Sequence, residues 1–120
     1  MTAAETSSEL ELLHRAYDAF NRRDFESVLA MMRPDVDWPN GMVGGRMVGV
    51  PAVRDYWRRQ FELLESRVEP LAFTPKADGR IAVKVHQIVH DKSGQLVGDQ
   101  IVDHVYAFRD GQIASMEIRS

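Results

Sequence analysis

Residues 80–119 read RIAVKVHQIVHDKSGQLVGDQIVDHVYAFRDGQIASMEIR, and the rhythm of this stretch decides the fold. Apolar and polar residues alternate with a period of two through Arg80–His90, Gln95–Arg109 and Gln112–Arg119. Such alternation marks strands with one buried face. Asp91–Gly94 and Asp110–Gly111 separate these runs with hairpin-type turn residues. An earlier run, Arg67–Thr74, is set off by the turn Lys76–Gly79. The spacing predicts four strands in an antiparallel meander.

Composition assigns the faces of the meander. Ile81, Val83, Val85 and Val89 form one side of the Arg80–His90 run, with Gln87 the one polar residue among them. That side is expected to point inward. A four-residue turn at Asp91–Gly94 pairs His90 with Gln95, and the same register sets Ile81 opposite His104 and Val85 opposite Gln100. Opposed residues share a face, so Gln100, Val102, His104, Tyr106 and Phe108 are expected inward too. The last strand is open to two readings. A three-residue loop, Arg109–Gly111, sets Met116 opposite His104, whereas a two-residue turn sets Glu117 there and makes His104 and Glu117 a base and its orienter. Ala114, Met116 and Ile118 make the more apolar face, which favours Met116 inward.

Upstream the period lengthens to that of helices. Leu10, Leu13, Tyr17 and Phe20 recur at helical spacing over Ser8–Asn21, with Ser8 and Glu11 placed for a capping box. Asp24 is placed to cap a second helix, Phe25–Met32, ended by Pro34. Val36–Trp38 reads as a short extended piece, and Pro39–Gly49, with four glycines, as a loop. Pro51 suits the first turn of a third helix running to about Ser66, with Val53, Trp57, Phe61 and Leu64 as its buried stripe. Helices first and a meander last argue for an α+β fold in which three helices cover one face of a curved sheet.

The chain has 120 residues, 44% of them hydrophobic, which suits one domain over 1–120 with a short flexible start at 1–8. It has no cysteine, so thiolate chemistry and cysteine-ligated zinc are excluded. A net charge of −3 without a basic block gives no footing for nucleic acid. No apolar run approaches a membrane span and no signal peptide is evident, so a cytoplasmic protein is expected. His86 and His90 share a strand face but stand roughly 13 Å apart, too far to ligate one ion. His14 has only Asp18 at the next turn. No metal site and no cofactor motif is expected.

The stretches Tyr17–Asp24, Pro34–Trp38, Gly49–Tyr56 and Phe108–Ile113, in that order and spacing, resemble the nuclear transport factor 2-like superfamily, and within it the SnoaL-like polyketide cyclase and ketosteroid isomerase branch. The resemblance spans Leu10 to Ile118. It implies a cone, the cystatin-like α+β barrel, in which three N-terminal helices pack on a curved, mostly antiparallel sheet of four to six strands around an apolar pocket. It also implies a homodimer through the outer sheet face, where Ile88, Ile101 and Val105 offer apolar surface. His104 falls where the isomerases place an acid that donates to the substrate oxyanion. Their helix tyrosine falls at Ala16, beside Tyr17, and their base falls near Asn40. None of the three groups is kept, so the ketosteroid isomerase mechanism is not expected.

His104 is the chemical candidate, because an imidazole titrates near working pH. Its bland alternative is a core histidine satisfied by Gln87, Gln100 or Tyr106. Gln87, Gln100 and Tyr106 are expected to hold the polar end of a ligand with it. Tyr17, Phe20, Trp38, Trp57, Phe61, Val83, Val85, Gln100, Val102, Met116 and Ile118 are expected to shape the pocket, with Asn40 and Arg46 at its mouth. Asp103 should face the other way. Two functions remain open on this reading. One is a cofactor-independent enzyme doing acid–base chemistry (isomerisation, aldol-type cyclisation or dehydration) on a hydrophobic carbonyl or polyketide-like metabolite. The other is a non-catalytic binding or dimerisation module of the same fold.

Overall fold

The structure, a computed structural model, describes residues 3–41 and 43–119. In chain order it contains α1 (Ala3–Asn21), α2 (Phe25–Leu29), β1 (Met32–Pro39), β2 (Arg46–Val48), α3 (Val50–Leu63), β3 (Leu64–Pro75), β4 (Ile81–Asp91), β5 (Leu96–Arg109) and β6 (Gln112–Arg119). One six-stranded sheet has the order β2-β1-β6-β5-β4-β3. β3 to β6 form the antiparallel meander, β1 joins β6 in parallel, and β2 folds back on β1. The sheet is α+β cone architecture but it does not close into a barrel, since β2 and β3 are its two edges. α1 packs on β3 and α3 on β1 and β3, and the core lies between these helices and the concave face. Among the described residues no helix is long and apolar enough to cross a membrane.

The register departs from expectation at two bulges. Ile81 lies opposite Tyr106, Val83 opposite His104 and Val85 opposite Val102, two residues beyond the expected partners. His90 pairs with Leu96 and Val89 with Gly98, which leaves Val97 as the extra residue. The carboxylate of Asp91 tightens this turn by accepting from the N–H groups of Ser93 (2.9 Å) and Gln95 (3.0 Å). A shift of two keeps every residue on its own face, so the concave set is preserved while its partners change.

At the last hairpin the turn is the two-residue Asp110-Gly111, both with positive φ (54° and 76°), as the tight primed turns require. An extra residue, Ala114, then lies between the pairs Phe108–Ile113 and Ala107–Ser115. The bulge turns Met116 inward against Tyr106 and puts Ile118, not Met116 or Glu117, opposite His104. Glu117 is exposed and paired with Arg119 at 2.9 Å.

Four further boundaries differ. α2 ends at Leu29, and Pro34 lies inside β1 instead of stopping a helix. The β1–β6 ladder is irregular between Met32 and Asp37, and a residue without an N–H fits where a ladder is broken. The glycine-rich loop holds β2, reached through Gly44 and Gly45 at φ 82° and 79°. α1 starts at Ala3, so Ser8 is an interior residue and not a cap, while Met1 and Thr2 of the segment expected to be flexible lie outside the described residues. Finally, Leu64 is extended (φ −135°, ψ 158°), so Leu64–Ser66 begin β3 and do not end α3.

Candidate functional site

α1, α3 and the concave face line a cavity of about 80 Å³ that opens to solvent on one side. Its chemical centre is where β5 and α1 meet. β5 alternation turns His104 and Tyr106 inward, and both are buried. The helical period of α1 lays Tyr17 over them. Asn21, one turn on, fixes that helix to the sheet: its amide donates to the Val68 carbonyl (2.8 Å) and accepts from the Val68 N–H (3.0 Å).

The result is a hydrogen-bonded chain. The Tyr106 hydroxyl donates to the Tyr17 oxygen at 2.8 Å, and the Tyr17 hydroxyl lies 2.7 Å from His104 Nδ1. In the tautomer with the ring proton on Nε2, the Tyr17 hydroxyl donates to Nδ1 and the chain runs from Tyr106 through Tyr17 to His104. Among the described residues nothing hydrogen-bonds Nε2. Burial pushes the His104 imidazole down to about 4, opposed only weakly by the Asp103 carboxylate. His104 is therefore neutral at neutral pH. Burial also raises both phenols, Tyr17 and Tyr106, so neither ionises there.

Of the residues singled out in the sequence, Tyr17, Phe20, Trp38, Trp57, Gln87, His104, Tyr106, Met116 and Ile118 line the cavity. Val83, Val85 and Val102 are buried in the core beneath it but do not form its wall. Phe61 packs on Phe20 and Phe25, under the Arg23 guanidinium, outside the wall. Gln100 faces Gln87 across the ladder, but it is exposed where the sheet runs past the helices. Asn40 belongs to the β1–β2 turn, where its side chain accepts from the Val43 N–H at 3.1 Å. Arg46 ties that hairpin to β6, donating to Asp37 (2.6 Å) and to the Met116 carbonyl (2.6 Å). Gln87 does not join His104. It stands four residues along β4 from Val83, the residue opposite His104, which is roughly 13 Å.

Sequence reasoning missed Ala16, Val28, Pro39, Tyr56, Gln60, Ser66, Val68 and Ile113 on the wall. Val68 was within reach, since it lies opposite Gln87 and shares its face. Ser66 was hidden by the misplaced end of α3. Tyr56 and Gln60 flank Trp57 on the helix and carry no signal of their own. No carboxylate and no metal-holding cluster is found in the cavity among the described residues.

The site is thus a neutral imidazole bonded to two phenols in an apolar, aromatic cavity of a cone fold. Residues 13–116 match the SnoaL-like domain, and the chain belongs to that family. No curated protein matches it. Among solved structures, it is similar to an NTF2-like protein of unknown function from Burkholderia pseudomallei, at 29% identity and a TM-score of 0.82, covering 93% of this chain and 89% of that one. It is also similar to TerC, co-crystallised with polyporic acid, at 28% identity and a TM-score of 0.81, over 92% and 89% of the two chains. A candidate polyketide cyclase from Xanthomonas campestris pv. campestris, at 24% identity and a TM-score of 0.82 over 95% and 90%, shares the fold.

Proposed function

We propose that this protein binds a hydrophobic carbonyl compound of polyketide-like character and activates its carbonyl, without a cofactor, for an intramolecular aldol-type closure or a related isomerisation. The observation that carries this reading is the orientation of His104. Tyr17 occupies Nδ1, so Nε2–H is the donor left for a ligand oxygen. On a wall where His104 is only 7% exposed, such a donor stabilises developing negative charge on oxygen better than it would in bulk solvent. A neutral imidazole held as an electrophile is an established catalytic device.

The same wall explains why this reading is preferred to enolisation by a protein base. No carboxylate lines the cavity among the described residues, so the carbon nucleophile must come from an acidic C–H of the substrate itself. The enol carbon would attack the activated carbonyl carbon while Nε2–H holds the developing alkoxide, and the proton released by the enol hydroxyl would return to that alkoxide through solvent, leaving His104 neutral throughout. No atom is lost, as an isomerisation requires. The lack of a carboxylate equally suits a second reading, a pocket that binds such a ligand and returns it unchanged.

The test is a thermal-shift screen of wild type and His104→Phe with polyporic acid and flat aromatic ketones, followed by mass spectrometry of incubated hits. Ligand at about 100 times its dissociation constant adds about 2.7 kcal/mol, a shift on the order of ten degrees for a chain of this size. The expected result is a shift that His104→Phe weakens, with a product of unchanged mass and new retention time whose formation falls about 10²–10⁴-fold in the variant. Binding without any altered product would establish the second reading. No shift with any compound would remove both.

A further inference from the structure

We infer that the cavity has two polar poles and takes an elongated, neutral, flat ligand with a carbonyl at the His104 end and a hydroxyl or second carbonyl at the other. This rests on the reading that His104 holds a ligand oxygen, and it adds what holds the far end.

The second pole comes from β3, β4 and α3. Val68 lies opposite Gln87 and Ser66 opposite Val89, so Ser66 and Gln87 are diagonal neighbours on the concave face. Gln60, in the last turn of α3, lines the same cavity, and its main-chain carbonyl accepts from Leu64 where β3 begins. Ser66 is only 2% exposed. Among the described residues none of these three side chains makes a hydrogen bond within the protein. The contrast is with nearby Asn21, whose amide is satisfied on both sides by Val68. Ser66 is buried and Gln60 and Gln87 are half-buried on the cavity wall, and three polar side chains that face one stretch of a cavity without a protein partner mark a place where a ligand can supply one.

Spacing and charge then define that ligand. The pole lies roughly 13 Å along the sheet from the level of His104, four residues of strand. Trp38, Trp57 and Met116 line the cavity between α3 and the sheet, and they suit a flat apolar body. Among the described residues no lysine or arginine lines the cavity, which suits a neutral far group over a carboxylate. An amide and a hydroxyl both donate and accept, which fits a hydroxyl or a carbonyl there.

The test uses two probes that differ at one end only, 4-phenylcyclohexanone and 4-(4-hydroxyphenyl)cyclohexanone, titrated calorimetrically against wild type, Gln87→Leu, Ser66→Ala and His104→Phe. The readout is the ratio of the two affinities. Wild type should favour the hydroxylated ketone about fivefold, the worth of one net hydrogen bond. Gln87→Leu and Ser66→Ala should bring the ratio close to one. His104→Phe should weaken both probes and keep the ratio. If the ketones bind wild type equally, or the preference survives in both far-pole variants, the second pole is overturned while the His104 reading stands. If neither ketone binds folded wild type, the carbonyl reading fails and the second pole falls with it.

Discussion

Two histidines on neighbouring strands face opposite sides of one sheet, and they live in different chemistries. His86, on the convex face of β4, meets the Asp99 carboxylate at 2.6 Å, with both side chains open to water (34% and 52% exposed). His104, on the concave face of β5, is 7% exposed and meets a phenol. An exposed pair of the first kind contributes about 0–1 kcal/mol, screened further by salt. The second removes a titratable ring from water and holds it in one tautomer. The alternation of a strand, a period of two, is enough to separate the two environments. The same division runs across the sheet: Lys84, Asp99, Asp103 and Glu117 lie on the convex side, while on the concave side the described residues are mainly apolar, with the cavity's polar groups and the exposed Gln100 as exceptions.

The largest expected effect breaks the concave side outright. Trp57 is buried against Phe20, Phe25 and Trp38, with ring centroids 5.3, 5.5 and 5.8 Å away. Trp57→Ala should destabilise the protein by about 3–5 kcal/mol in urea unfolding, through lost transfer energy and the cavity left behind. A cost below about 1 kcal/mol would mean that α3 does not seal the concave face, and the division between the faces would lose its basis.

The next effect follows from proton linkage. The folded pKa of His104, about 4, lies below its ordinary value in an unfolded chain. Between those values the unfolded chain binds more protons than the folded one. The neutral burial of His104 therefore contributes fully above about pH 6.5 and is lost as pH falls toward 4. The loss is at most about 3 kcal/mol. His104→Phe should flatten the stability curve in that window. The surface carboxylates held low by ion pairs and turns, such as Glu65 and Asp91, begin to lose their contribution as pH falls through the ordinary carboxylate range, at the bottom of that window, and the variant shares that loss. A wild-type curve as flat as the variant's would show that water reaches the ring and that the two histidines are less different than the geometry makes them.

This division was largely legible in the sequence, because a period of two survives errors in register. The expected partner of Ile81 was two residues off, yet His104 and Tyr106 keep the inward face. The bulges at Val97 and Ala114 were not legible, since an extra residue in a ladder carries no compositional mark. Tyr17 could be placed on the buried stripe of α1, but its bond to Nδ1 depends on how α1 crosses the sheet, which the Asn21 clasp on Val68 decides from 47 residues away. The far pole was invisible for a local reason. Ser66 was read as the end of a helix, so its concave face could not be assigned, and Gln60 looks like any exposed helical glutamine.

The smallest expected effect probes the convex side at Ile101, which is 58% exposed. In an isolated chain Ile101→Ala removes little buried surface and should change stability by no more than about 0.5 kcal/mol. Val105, on the same face, does not add to that surface, because its neighbours on the sheet already cover it to 3% exposure. A second copy packed on this face would bury Ile101, and stability would then rise with protein concentration by mass action. Urea midpoints of wild type and Ile101→Ala in dilute and concentrated protein separate the two cases. A small difference that is the same at both concentrations leaves the convex face as solvated surface, the counterpart of the dry concave one. A difference that grows with concentration makes it an interface between copies. The contrast between the two histidines would then become one between two buried surfaces, one packed on the chain's own helices and the other on its partner.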